Sequence, residues 1–305
     1  MFNYHERLYI FKKSDGEIIS FFHDARQNIC YQLLINRRTW SSPVVLHRNA
    51  YKYFYVDMDR DNVFHIVFQD NEGNINYSRL GGQTIRSVPV LNSKTPLVYD
   101  KKLFLAPLKE GVYIFYVLQH ENSFFLGYQV LSGGRIGNPK VVDYVSGSSI
   151  PCSIVYDRDE NIYVFYQAHD GKYMQLGYRK YTIAQRSWSE FSSITKFSGN
   201  CEYPRSLVDE NGVIHLLYQR KGSRYYELVY QQKTPDKHLW SEEFVIHSSP
   251  YSFENASILN SNGDIIVYWV RENTIYYSTG TQGGYMWMRP ARLSFPASRT
   301  LQCIS

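Results

Sequence analysis

Six triplets of the form apolar, any residue, tyrosine recur along the chain at a nearly constant interval. ICY ends at Tyr31, INY at Tyr77, LGY at Tyr128, LGY at Tyr178, LVY at Tyr230 and IYY at Tyr277, with spacings of 46, 51, 50, 52 and 47 residues. A period near 50 with several strands per copy marks a propeller or related array, in which each unit needs its neighbours to bury its apolar faces.

The rest of each unit falls into register around that tyrosine. About a dozen residues upstream lies an apolar strand: IISFFH, FHIVFQ, VYIFYV, IYVFYQ, IHLLYQ and IIVYWV. A hairpin turn precedes each one, with the usual Gly, Asn and Asp chemistry, as in SDGE, DRDN, RDEN, ENG and SNGD. A short strand stands before the turn. After the tyrosine a fourth strand opens on a large apolar residue: Trp40, Ile85, Ile136, Trp188, Trp240 or Trp287. Helical periodicity with caps is absent. The expectation is an all-β, six-bladed β-propeller with four antiparallel strands per blade. It forms one domain over 1–305, with blades near 8–46, 54–91, 103–142, 153–194, 206–246 and 257–293. A pair of β-sandwiches would give no reason for six equivalent columns.

This reading treats most of the 28 tyrosines as packing. Blades stack face to face, so both faces of their middle strands are covered. A tyrosine there supplies a large ring and a hydroxyl that can reach the wetter rim. The Trp/Ile column is expected to pack between blades. His65 and His215 share one strand column and are expected to be buried and hydrogen-bonded. The glutamines at the ends of second strands (Gln69, Gln167, Gln219) and His23 are expected to hold neighbouring loops.

Bulk properties narrow the function. The 33 Lys and Arg against 28 Asp and Glu are scattered and form nothing longer than pairs, so no nucleic-acid footprint is expected. No apolar run approaches the ~20 residues that span a bilayer, so no membrane insertion is expected. The opening MFNYHERLYIFKK has no signal-peptide core. The chain is expected to be cytoplasmic if complete, and otherwise secreted or at the cell surface. A monomer is expected. Cys30, Cys152, Cys201 and Cys303 form no CxxC pair and read as thiols. Asp57, Asp59 and Asp61, and likewise Asp157, Asp159 and Asn161, have calcium-loop flavour. No acid closes either loop, so hairpin chemistry is the expected role. No metal or cofactor site is expected, and no GxSxG, P-loop, HExxH or zinc spacing is present.

Ligand sites on propellers gather where inter-blade loops and second-to-third-strand loops share one face, around the channel mouth. The inter-blade segments LHRNAYKYFY, KFSGNCEYPR and HSSPYSFENA supply the candidates Tyr51, Glu202, Tyr203, Arg205, Tyr251, Phe253 and Glu254. Rings that stack on sugar C–H faces, beside charged groups that fix hydroxyls or an acid, suit carbohydrate recognition.

The fourth-strand entries RRTWSSP, QRSWSEF and HLWSEE resemble the tail of the Asp-box of sialidase-like propellers, S-x-D-x-G-x-T-W. That resemblance implies a propeller, and for sialidases proper an arginine triad, a Tyr/Glu nucleophile pair and an aspartic acid/base. The early arginine-isoleucine-proline motif has no counterpart, and YPRS at 203–206 has a different order, so no catalytic residue is carried over. Two functions remain. One is a non-catalytic binding module holding a glycan or partner protein at the channel mouth. The other is a glycoside hydrolase with Glu202 and Glu254 as paired carboxylates, which would need them about 5–10 Å apart.

Overall fold

The computed structural model describes residues 8–81, 84–94, 99–237, 239–272 and 274–293, with backbone alone at 84–86. Cys303, the side chain of Ile85 and the C-terminal run 294–305 lie outside the described residues. The chain is an all-β, six-bladed propeller of small antiparallel sheets. It divides into two compact units, one running to Asp143 and the other from Tyr144.

The first unit holds three blades, save that the last strand of the third ends two residues beyond it. Blade 1 runs through Leu8–Lys12, Ile18–His23, Ile29–Ile35, Thr39–Trp40 and Val44–His47. Blade 2 runs through Ala50–Met58, Phe64–Asp70, Ile75–Gly81 and Thr84–Leu91. Blade 3 runs through Leu103–Leu108, Gly111–His120, Ser123–Ser132, Arg135–Ile136 and Lys140–Val145. The second unit holds the other three. Blade 4 is Cys152–Tyr156, Ile162–His169, Met174–Thr182, Ser187–Trp188 and Ser192–Ser193. Blade 5 is Cys201–Val208, Ile214–Lys221, Tyr226–Lys233 and Phe244–Ser249. Blade 6 is Ser257–Ser261, Asp264–Arg271, Thr274–Gly280, Met286–Trp287 and Ala291–Leu293.

Apolar cores lie between successive blades within each unit. Phe21 and Phe54 meet between blades 1 and 2, and Ile75 and Leu103 between blades 2 and 3. In the second unit Phe165 and Leu216 meet between blades 4 and 5, and Leu217 and Val267 between blades 5 and 6. This explains the near-continuous apolar runs of the second strands: all six residues 162–167 are buried, because both faces of the strand are covered.

The tyrosine column packs as expected, with a graded burial. Tyr77, Tyr128 and Tyr230 are buried, while Tyr31, Tyr178 and Tyr277 are half-buried. Tyr178 meets Trp240 of the next blade at 6.2 Å, and Tyr230 meets Trp287 of its next blade at 4.7 Å. Trp40 is the exception among the tryptophans, at 41% exposure. Two hydroxyls end on buried histidines and not at a wet rim: Tyr77 on His65 Nδ1 at 2.7 Å and Tyr230 on His215 Nδ1 at 2.6 Å. The far ring nitrogens face Asp59 at 2.9 Å and Asp209 at 3.3 Å. Each aspartate also caps its hairpin. Asp59 Oδ1 accepts from Asp61 and Val63 N–H, and Asp209 Oδ1 from Asn211 and Val213 N–H.

The Trp-Ser entries have a local physical reason. Ser41, Ser189 and Ser241 each donate their N–H to the third strand, at Leu33, Lys180 and Gln232 O. Each hydroxyl then accepts the N–H of that same third-strand residue, at 3.1, 2.9 and 2.9 Å. The hydroxyl stands in for a backbone carbonyl and lets the outer strand break after the tryptophan. In blades 1, 3, 4 and 6 this fourth strand is two short pieces.

Two blade boundaries differ from expectation. The first strands of blades 2 and 5 begin at Ala50 and Cys201, several residues early. Each carries a bulge, between Ala50 and Phe54 and between Glu202 and Arg205. Tyr51, Glu202, Tyr203 and Arg205 therefore sit on strands, and not in the inter-blade loops where they were expected. Among the described residues no helix is long and apolar enough to cross a membrane.

Candidate functional site

The second-strand column sets the level of the candidate residues in each blade. Gln69 donates to Tyr99 O and accepts from Lys101 N–H. Gln167 donates to Cys201 O. Gln219 accepts from Phe253 N–H at 2.7 Å and from the Ser252 hydroxyl at 3.0 Å, while donating to Glu202 Oε2 at 2.9 Å. His23 bonds Ala50 O. Each is a latch that fixes the entry to the next blade, because a buried amide needs both its donor and its acceptor satisfied.

The sequence candidates separate into three places. Tyr51 belongs to the first unit. There its hydroxyl donates to Asp100 Oδ1 at 2.9 Å and its ring lies 6.4 Å from Tyr53. Burial and the Asp100 carboxylate push its phenol up to about 12. In the second unit, Glu202 is held by Gln219, and Arg205 donates Nε to Ala256 O at 3.4 Å. Tyr203 sits in the bulge with φ of 56°, a left-handed conformation that is uncommon for a bulky residue. Burial raises its phenol, and the carboxylates of Glu254 and Glu202 add to the shift. The charges of those two acids, from adjacent blades, thus both bear on one half-buried tyrosine.

Tyr251 and Phe253 line something else: an open cleft of about 450 Å³ between blades 5 and 6. Its walls come from the outer strand of blade 5 (His247, Ser249), the linking segment (Tyr251, Ser252, Phe253) and blade 6 (Trp269, Val270, Arg271, Glu272, Tyr276). Its floor is aromatic. Trp269 stacks on His247 at 5.3 Å and on Tyr276 at 6.0 Å, and Phe253 meets Trp269 edge-on at 6.0 Å. The Arg271 guanidinium lies 4.5 Å from the centre of the Tyr251 ring, which is 57% exposed. Glu272 Oε1 lies 3.5 Å from Arg271 Nε, with its own side chain largely in water. Burial, and then the nearby Arg271 charge, hold the His247 imidazole below its ordinary range.

Sequence reasoning missed Arg271, Glu272, Trp269, Tyr276 and His247. Trp269 breaks a column that holds Phe or Tyr in the other five blades: Phe22, Phe68, Tyr116, Tyr166 and Tyr218. That tryptophan points at blade 6, but only folding brings His247 and Tyr251 to it.

No family model matches the sequence, and no curated protein is similar to it at the sequence level. Solved structures are similar in fold. A lectin from Burkholderia pseudomallei matches with a TM-score of 0.67 at 12% identity, covering 94% of this chain and 84% of that one. An Aleuria aurantia lectin variant in complex with Fucα1-6GlcNAc matches at 0.56 and 13%, covering 98% and 99%. An ulvan lyase, a polysaccharide lyase bound to -[GlcA(1-4)Rha3S]-, matches at 0.57 and 10%, covering 88% and 77%. At such identities the likeness establishes the architecture, and the chain shares the propeller fold with lectins and with a lyase alike.

Proposed function

We propose that this chain is a glycan-binding propeller and that the cleft between blades 5 and 6 holds the saccharide. The observation that carries this reading is the Arg271 guanidinium lying over an exposed Tyr251 ring, above a floor of Trp269 and Tyr276. Aromatic faces take the C–H surface of a sugar ring, while a guanidinium and a neighbouring carboxylate fix its hydroxyls as donor and acceptor. The fold's occurrence in a lectin bound to a fucosylated disaccharide supports starting with fucosylated glycans. The test is a glycan array on the intact chain, followed by calorimetry with Arg271→Gln and Tyr251→Ala. Each change should weaken the selected glycan by about tenfold or more, as for loss of a charged hydrogen bond or a stacking face. Affinity within twofold of wild type in both variants would sink the cleft assignment.

A second reading has its own observation. Tyr203, held at a positive φ in the bulge beside Glu202 and under the charge of Glu254, is a group a sugar-cleaving site could use. A protein held by the same surface is the non-enzymatic rival. Turnover of an array-selected glycan that Tyr203→Phe abolishes would favour the enzyme. The sialidase-like kinship suggested by Trp-Ser does not help the choice, since those serines have a backbone role in their own sheets.

A further inference from the structure

The latch residues define which positions correspond between blades. Gln69 accepts from Lys101 N–H and Gln219 from Phe253 N–H, so Lys102 in the first unit corresponds to Glu254 in the second. Ala50 and Cys201 each open a bulged strand, so Tyr51 corresponds to Glu202. The same place in the architecture thus carries glutamates in one unit and a lysine–tyrosine group in the other. The fold does not demand either charge.

The first unit's group is built compactly. In a regular strand Tyr51 and Tyr53 would share one face and Lys52 would point away. The bulge between Ala50 and Phe54 instead brings the Lys52 ammonium to 5.7 Å from the Tyr51 ring centre and 5.4 Å from that of Tyr53. Lys102 Nζ lies 4.2 Å from the Tyr53 ring and donates to its hydroxyl at 3.0 Å. Asp100 steadies the group, taking the Tyr51 hydroxyl and lying 3.5 Å from Lys52. The Lys52 side chain remains 46% exposed. Two ammonium groups, that of Lys52 on an exposed side chain, therefore sit beside two stacked phenols, with the Asp100 carboxylate against Lys52.

We infer that Tyr51, Lys52, Tyr53 and Lys102 form a second carbohydrate site, selective for saccharides bearing a carboxylate or sulfate ester. The ring faces take the sugar, the two ammonium groups take the anion, and Asp100 accepts a hydroxyl. This site shares no residue with the blade 5–6 cleft.

The test is titration of the intact chain with three probes: oligogalacturonate, a sulfated oligosaccharide and a neutral cello-oligosaccharide, with inorganic sulfate alongside. The acidic sugars should bind, the uronate and sulfate arms telling which anion is preferred, and neutral sugar should not engage this site. Lys52→Gln should weaken the acidic sugar about tenfold, and adding Lys102→Gln should weaken it further. Arg271→Gln, in the other unit, should leave it unchanged. Lys52 is exposed enough that its variant stays folded, so the single change suffices if the double variant melts early. Four results would overturn the inference: no binding of either acidic sugar, binding insensitive to Lys52→Gln, loss through Arg271→Gln instead, or inorganic sulfate binding as tightly as the saccharide. Failure of the cleft reading would show only in the Arg271 variant.

Discussion

Two arginines occupy equivalent positions at the ends of the second strands of blades 5 and 6, and they do different work. Arg220 pairs across the hairpin with Glu227, and Arg271 pairs there with Thr274. Arg220 Nε meets Glu227 at 2.5 Å, its other arm meets Glu243, and its guanidinium lies 4.5 Å from the Phe197 ring. Glu243 precedes Phe244, the partner of Tyr230; the matching place in blade 6, before Ala291, is Pro290. Blade 6 has therefore exchanged both glutamates for uncharged residues. Arg271 keeps the same 4.5 Å perch over a ring but has only the exposed Glu272 for a counter-ion among the described residues. An arginine doubly paired by its own sheet is part of the masonry, and one without those pairs is available to a ligand.

The largest expected effect on this contrast is Arg220→Met. It leaves Glu227 and Glu243 facing each other without their cation, and Glu243 also takes the Tyr218 hydroxyl. The pair is partly exposed, so the loss should be about 2 kcal/mol in denaturant unfolding, below the figure for a fully buried pair. A loss under ~0.5 kcal/mol would erase the distinction between the two arginines. Next comes the reciprocal change, Thr274→Glu, which gives Arg271 the partner that Arg220 has. Saccharide affinity at the cleft should fall about two- to fivefold, the share an exposed pair worth ~0.2–1 kcal/mol withdraws from the ligand. Unchanged affinity would show that Arg271 does not hold the sugar.

The smallest effect is electrostatic. His247 is held below its ordinary value by burial first and by Arg271 second. As pH falls through about 6.5, the unfolded chain takes up a proton that the folded imidazole resists, so acidification destabilises the fold. Arg271→Gln should raise the His247 titration midpoint, measured by NMR, and shrink that acid loss. A midpoint that stays put would mean that the guanidinium does not face the imidazole in solution.

The fold was legible because its signal is repeated six times. A tyrosine every ~50 residues, with an apolar strand at fixed distance before it, fixes sheet count and strand order whatever any one blade does. The candidate site is a matter of single residues, and sequence reasoning reached it only partly. Tyr251 and Phe253 were found because they lie in a polar, aromatic linking segment. Arg271 and Trp269 are harder to single out because Tyr251 and His247, which they meet, stand some twenty residues away in the sequence, on the linking segment and on blade 5. Tyr51, Glu202, Tyr203 and Arg205 read as loop because a bulge has no composition of its own. The positive φ at Tyr203 leaves no trace in the letters.

The serine that follows tryptophan in blades 1, 4 and 5 has a further consequence. A blade's outermost strand presents a row of unpaired amides and carbonyls to solvent, a template on which another chain could grow a sheet. By closing one rung with a hydroxyl, Ser41, Ser189 and Ser241 interrupt that row just past the tryptophan. In blades 1 and 4 what remains is two pieces too short and too offset to recruit a foreign strand. Short, offset outer pieces of this kind present little edge for another chain to extend.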